Sequence, residues 1–597
     1  MGINVTSSER IGIVSLAGLF LIPFIIPVHS FPITSFYSEW WAALLGLLMV
    51  VPWLFASESI KINLPRPIWI MFAFAGLILL QVILGRVVYP SQGWLSIFYL
   101  FWAILLMVAT RTLAKVLGLN KILEVLAWAV VAGGVLNAII GIFQAFSIHT
   151  IITDSFFSYG STNAVFGNLG QANHFADYLS LAVAAVLYLG YQKRLPWLAI
   201  LVIGLTLLLG LALSGSRSVW LYLASMLILT FLFHLKKPVP ASRQMLWGLV
   251  LALVVFQILQ MLLVVEDLNT GITTANARLQ EPNHTMPIRL ALWQDALRMF
   301  VSEPLLGVGF QNYAWNHFEL IRTGQSLFAG ESAHETIRWT HSHNIVFHLM
   351  AEFGLIALIL MIGAVWWVVR FIQNVATVDH WFIAAGVAII SIHSLLEYPL
   401  WYANFLGIFA VLVALTDDRP LEVNVLSANL HRFSWFFMVL GISLLAFYYT
   451  TYAALEKALT NVTNPKRTSE LNISLKQSLN TAQMNPFLEP AVDSLMSQLP
   501  VIDSAKSNFV EFQLRLNEKV IRYAADADSI YHRTTLLWLA GRHQESKSWL
   551  KEAVKIYPGS MGGYLTRMEY KFEATPELAS LLEMLREMNT QKTKEQH

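Results

Sequence analysis

The stretch Thr340–Ile362, THSHNIVFHLMAEFGLIALILMI, decides the fold. It opens on a polar turn holding two histidines and an asparagine, then runs on as apolar sequence of helix length. Ser and Asn are residues that cap helix starts, so the turn predicts the point where a chain enters the membrane. The apolar run itself can cross about 30 Å of hydrocarbon as helix. Twelve further runs of this kind lie near residues 11–28, 40–56, 68–85, 94–109, 121–146, 172–190, 196–213, 217–234, 245–265, 381–396, 402–416 and 433–452. The 597-residue chain is accordingly 56% hydrophobic and 13% charged, with a mean hydropathy of +0.58. A soluble domain carries about a quarter of its residues charged. A soluble enzyme, a disordered chain and a collagen-like fibre are therefore excluded. The reading is an all-α, polytopic transmembrane helical bundle of about 13 spans. The first run lacks a small-residue cleavage site and reads as an anchor rather than a removed signal.

Charge divides the chain. Residues 453–597 hold 35 of its charged side chains, although they are 145 of the 597 residues. The expected organisation is N-terminal transmembrane helices over 1–265, an external loop with an amphipathic helix over 266–342, C-terminal transmembrane helices over 343–452, and a water-soluble helical domain over 453–597. With a cytoplasmic N-terminus the inner loops carry 14 Lys and Arg, and the short outer loops only Arg86 and Arg217. That places the long loop and the C-terminal domain outside. Ten of the thirteen histidines before residue 453, among them His284, His317, His334 and His393, then fall on the outer side. Such an excess points to polar chemistry on that face. The absence of Cys excludes thiol catalysis, thiolate metal sites and disulfides.

Four constellations could carry that chemistry. In Thr340–Asn344, His341 and His343 are two apart, and only one can easily serve a given site. His348 and Glu352, four apart, share a helix face. A zinc site would need further ligands, and no HExxH or Cys set is present. A neutral histidine acting as general base is the alternative, and a histidine at a helix cap the bland one. Arg217 lies in the tight turn Leu213–Ser218, where Gly215 and the serines would leave backbone N–H groups free for an anion. Arg289 opens an amphipathic stretch in which Leu290, Trp293, Leu297 and Phe300 recur every three or four residues, so the helix would lie on the membrane. Gly167–His174 crowds Gln171, Asn173 and His174 at a helix start, as caps or as partners for sugar hydroxyls. Glu397, Tyr398 and Tyr402 sit in a short outer loop, as an interfacial belt or a sugar-stacking platform.

The order Gln171, Arg217, Arg289, His343-Asn344 resembles the O-antigen ligase and polymerase superfamily, with its long periplasmic loop before a His-Asn motif. Gly170–His174 and Glu397–Tyr402 look more like its protein-directed branch, the bacterial protein O-oligosaccharyltransferases that glycosylate pilins. The resemblance covers most of residues 160–420. It implies a bacterial inner-membrane enzyme whose active side faces the periplasm. Its donor would be an undecaprenyl diphosphate-linked oligosaccharide and its acceptor a Ser or Thr of a periplasmic protein such as pilin. By the same resemblance Arg217 and Arg289 hold the diphosphate and His343 activates the acceptor, with His341 left as the other candidate base. Gln171, Asn173, His174, Glu397, Tyr398 and Tyr402 are then the substrate-binding set. A diphosphate leaving group needs charge stabilisation rather than a metal, so no metal, cofactor or nucleic-acid partner is expected. No nucleotide-binding glycine motif is present. Transfer to the sugar core of lipid A, and transport of a lipid-linked glycan, remain the alternative functions.

In the last domain, Leu536–Ala553 closing at Tyr557-Pro558 resembles a tetratricopeptide helix-turn-helix with Gly541 in the turn. Such hairpins bind peptides or cap a neighbouring body. On the first reading, deleting residues 460–597 would impair acceptor use more than donor binding.

Overall fold

The computed structural model describes residues 6–55, 60–150, 156–158, 165–263, 275, 285–327, 339–463, 469–499, 506–572 and 576–595. His284, His334 and much of the external loop lie outside the described residues. All thirteen apolar runs are helical. Nine helices among the described residues are long and apolar enough to cross a membrane, and four shorter apolar ones are Ile68–Ile83, Trp197–Leu213, Val378–Ser394 and Ala403–Leu415. The protein is an all-α, multi-pass membrane protein. Its one departure among the described residues is a small antiparallel sheet in which Ile60–Leu64 pairs with Leu421–Val425. Beside the sheet, Asp417 is fully buried and takes the backbone N–H, Nε and Nη2 of Arg66 at 2.8, 3.1 and 2.5 Å.

The chain divides into two compact units: residues 1–75, 98–283 and 360–447 form one, and residues 76–97, 284–359 and 448–597 the other. In the first, helices approach closely over small residues, the usual basis of packing where lipid removes the hydrophobic drive. A Cβ on Gly133 would fall 2.1 Å from the Tyr178 hydroxyl, and one on Gly134 2.4 Å from Ala182. Tyr178 in turn stacks on Phe24 at 4.3 Å and donates to the Phe20 carbonyl at 2.6 Å.

The second unit contains the loop helices Thr285–Ser302 and Tyr313–Arg322, the start of Ile345–Gln373, and the C-terminal helices from Ser469 onward. Loop and tail helices share one hydrophobic core. Leu292, Ala296, Phe318 and Ile321 are buried in the same cluster as Ile521, Tyr531, Leu550, Ala553 and Leu581. Phe318 stacks parallel to Trp549 at 6.3 Å, and the Lys555 ammonium donates to the Arg322 carbonyl. The hairpin Ala527–Leu539 and His543–Ile556 forms where the sequence placed it, with Gly541 at φ +76° in its turn.

The run Thr340–Ile362 is not one continuous helix. Gly354 breaks it at φ 68°, ψ −152°. The carbonyls of Ala351 and Glu352 instead accept from the N–H groups of Val308 and Gly309, and Leu355 N–H donates to the Pro304 carbonyl. Gln81, fully buried, seals the break: its amide nitrogen donates to the Leu306 and Glu352 carbonyls and its oxygen accepts from Phe310 N–H. A Cβ at Gly354 would meet the Leu305 carbonyl at 2.6 Å, in a backbone conformation side chains rarely adopt. Gly354→Ala is therefore expected to destabilise the purified protein by at least roughly 1–3 kcal/mol, seen as a lower melting temperature. Gly363→Ala, where a Cβ meets nothing within 4 Å, should leave melting unchanged. Equal melting of the two variants would rule out a rigid break.

Candidate functional site

The sequence-selected residues fall into two groups, one in each unit. In the second unit Asn344 caps its helix, its side-chain oxygen accepting from Val346 and Phe347 N–H at 3.0 and 3.3 Å. Ahead of it, His343 takes the left-handed conformation at φ +52°. Non-glycine residues adopt this uncommonly, and such outliers concentrate at functional sites. The conformation is held by His341, whose Nδ1 accepts the His343 backbone N–H at 2.9 Å. Accepting at Nδ1 leaves the ring proton of neutral His341 on Nε2. His341 is buried and stacks on His348 at 3.8 Å, whereas His343 is half-buried and packs edge-on to Trp339. Burial holds His341 well below the ordinary histidine range, with His348 and His343 adding to it. His348 and Glu352 do share a face, 3.6 Å apart and both buried.

Arg289 reaches this turn through its own helix. Trp293, one turn further on, donates from Nε1 to the Ser342 carbonyl at 3.1 Å and stacks on Phe347 at 5.3 Å. The helix has two apolar faces, of which the sequence reading found one. Ile288, Leu292, Ala296 and Met299 enter the core, while Leu290 and Leu297 remain about half exposed. Asp295, fully buried, fixes its height by accepting from His317 Nδ1–H at 2.9 Å and the Ser326 hydroxyl at 2.5 Å.

In the first unit Asn173 is the organiser. Its amide nitrogen donates to Glu397 at 3.0 Å, and its oxygen accepts from the Ser216 hydroxyl at 2.7 Å. The turn before Arg217 is thereby tied to the Glu397 loop. That turn does not offer all the open N–H groups the sequence suggested. Gly215 N–H donates to the Ala212 carbonyl and Ser216 N–H to the Ser214 hydroxyl. Gln171 is the residue before the Ala172–Tyr191 helix, and His174 meets Tyr402 edge-on at 4.9 Å. Tyr398 stacks on Tyr402 at 5.9 Å. Behind them His393 donates from Nδ1 to Asp177 at 2.5 Å, both fully buried. The Gly167–Gly170 turn is pinned by Asn137 and Gln144, which bond the backbone of Asn168, Phe166 and Gly167. Sequence reasoning missed Asn137, Gln144, Asp177, Asp295 and Gln81 as positioning residues. Polar side chains within otherwise apolar helices were the signal for Gln81, Asn137 and Asp177.

Residues 202–362, which hold Arg217, Arg289 and His343, match the O-antigen ligase family. Residues 165–189 match a protein glycosylation ligase family, and residues 381–562 the C-terminal part of a virulence factor membrane-bound polymerase family. A general O-oligosaccharyltransferase of Acinetobacter baylyi is 24% identical over 465 residues, covering 76% of this chain and 77% of that protein. A ComP-specific O-oligosaccharyltransferase of the same organism is 24% identical over 433 residues, covering 70% and 73%. Over these segments the chain is similar to the O-antigen ligase superfamily and, over most of its length, to protein O-oligosaccharyltransferases.

Proposed function

We propose that the protein transfers an oligosaccharide en bloc from undecaprenyl diphosphate to a Ser or Thr hydroxyl of a periplasmic protein such as a pilin. It does so in the bacterial inner membrane, with thirteen spans and with the loop and tail facing the periplasm, an orientation supported by the Lys and Arg bias. The observation that carries the reading is the His341–Asn344 turn: a half-buried His343 in a constrained backbone conformation, held by a buried neutral neighbour. His343 is then the base and His341 its positioning residue. The acceptor hydroxyl gives its proton to the His343 ring as its oxygen bonds the anomeric carbon. The bond from that carbon to the phosphate oxygen breaks, and undecaprenyl diphosphate leaves with the electron pair. Arg217 and Arg289 balance the diphosphate charge without a metal. Attack from the back face inverts the anomeric carbon. Gln171, His174, Glu397, Tyr398 and Tyr402 face the glycan, with Asn173 holding Glu397 and the Arg217 turn.

The match to the O-antigen ligase family favours a second reading, in which the acceptor is the lipid A core. Purified protein in detergent with EDTA, given the lipid-linked oligosaccharide and a pilin, is expected to raise the pilin's intact mass by one glycan. Sugar appearing on lipid A core and none on pilin would establish the second reading. Transfer to neither would leave transport of the glycan as the function.

A further inference from the structure

Three helices of the membrane unit begin at one cavity: Phe36–Leu48, Ala172–Tyr191 and Ala403–Leu415. None of the three has a side-chain cap on its N-terminus. The cavity is about 300 Å³, the small end of the range in which ligands are enclosed. Its wall includes Ser38, His174 and Asn404, which are 6%, 6% and 8% exposed. The side chains of these three make no hydrogen bond among the described residues. Buried polar groups are normally paired, so three left open on one cavity point to a ligand that pairs them. Tyr402 and Phe405 supply aromatic surface on the same wall.

Converging helix starts ordinarily favour an anion. Here a carboxylate already answers two of them. Glu39 accepts from the Ser35 hydroxyl at 2.5 Å and from the Tyr99 hydroxyl at 2.8 Å, and the Ala403 backbone also bonds it. A second carboxylate or phosphate there would find these two helix starts already engaged. Among the described residues, no Lys, Arg, Asp or Glu lines the cavity. What fits is an uncharged, ring-sized ligand with many hydroxyls and an apolar face.

We propose that this cavity seats one uncharged sugar ring of the donor, the one next to the diphosphate, and selects against an acidic sugar there. The place in the glycan follows from Asn173, which sits between cavity-lining Gln171 and His174 and bonds Ser216 beside Arg217. The inference rests on the donor reading above and adds a specificity pocket to it.

The test compares three lipids on the full-length protein in detergent: undecaprenyl diphosphate, the same lipid bearing one hexose, and the same bearing one hexuronate. The hexosyl lipid should bind about tenfold more tightly than either of the others, the discrimination a polar pocket supplies when its groups are paired or an unpaired charge intrudes. Ser38→Leu, which fills the cavity, should erase that preference and leave affinity for the sugar-free lipid unchanged. Asn404→Ala, which removes a partner without adding bulk, should weaken the preference and guards against misfolding of the first variant. Equal binding of hexosyl and hexuronyl lipids, or a preference that survives both substitutions, overturns the pocket alone. Failure of all three lipids to bind overturns the donor reading together with it.

Discussion

A chain ending at residue 463 is expected to lose glycan transfer entirely and to lose donor binding with it. A tail that only docked the acceptor would leave the donor site intact. The core shared by loop and tail argues otherwise. Leu292, Ala296 and Phe318 are at most 1% exposed, in a cluster completed by Tyr531, Leu550, Ala553 and Leu581. Uncovering a buried Leu or Phe forfeits about 1.5–3 kcal/mol. Several together approach the 5–15 kcal/mol, roughly, by which a whole domain is stable. The helix that loses this support carries Arg289, and through Trp293 it holds the turn of His341 and His343. Further tail contacts go as well, since Tyr89 donates to Asp493 at 3.1 Å and Gln92 to the Phe487 carbonyl at 2.9 Å. Donor affinity and melting of the purified truncation decide the matter. Unchanged affinity for the undecaprenyl diphosphate oligosaccharide would return the tail to a docking module. Trp549→Ala, which removes only the stack on Phe318, should give a partial version of the same loss.

The core that tail and loop share was not legible in the tail's sequence alone, and the reason is general to the molecule. Period and composition expose local features well: the thirteen apolar runs, the Asn344 cap and the Gly541 turn each depend on a few neighbouring residues. The break at Gly354 does not, because hydropathy is blind to a backbone angle, and the run reads apolar straight through it. The groups that make the break tolerable are Gln81 and the Val308–Gly309 backbone, all far away in sequence. The second apolar face of Thr285–Ser302 was hidden for a similar reason. A helix apolar on two sides shows no single stripe. The strand pair is five residues long on each side, and its partners are as remote as Ile60 and Val425. Asn173 read as a ligand for sugar because amides at a helix start have two uses. Only the structure shows both ends of its amide engaged by Glu397 and Ser216.

His343→Ala and His343→Gln should each lower the transfer rate by about 10²–10⁴, the contribution of a positioned base, with donor affinity unchanged. His341 supplies the control that separates base from support. If it positions His343 through the bond from the His343 backbone N–H to its Nδ1, the substitution that keeps an acceptor at that point should keep the rate. Asn places its amide oxygen near the position of Nδ1, and Gln places it further out. His341→Asn is therefore expected to retain most of the transfer rate, and His341→Gln to lose much of it. Were His341 itself the base, both would fail alike. Stability gives an independent reading. Burial lowers the folded-state affinity of His341 for a proton below that of the unfolded chain, whose histidine value is near 6.5. The stability tied to this group is thus present above that value and lost as pH falls below it. Wild-type melting should drop between about pH 7.5 and about pH 5.5, and His341→Asn, with nothing to protonate there, should drop less. A support at position 341 thus predicts the slope change without the rate loss when Asn replaces it. Observing both effects at one position and neither at the other would reverse the assignment.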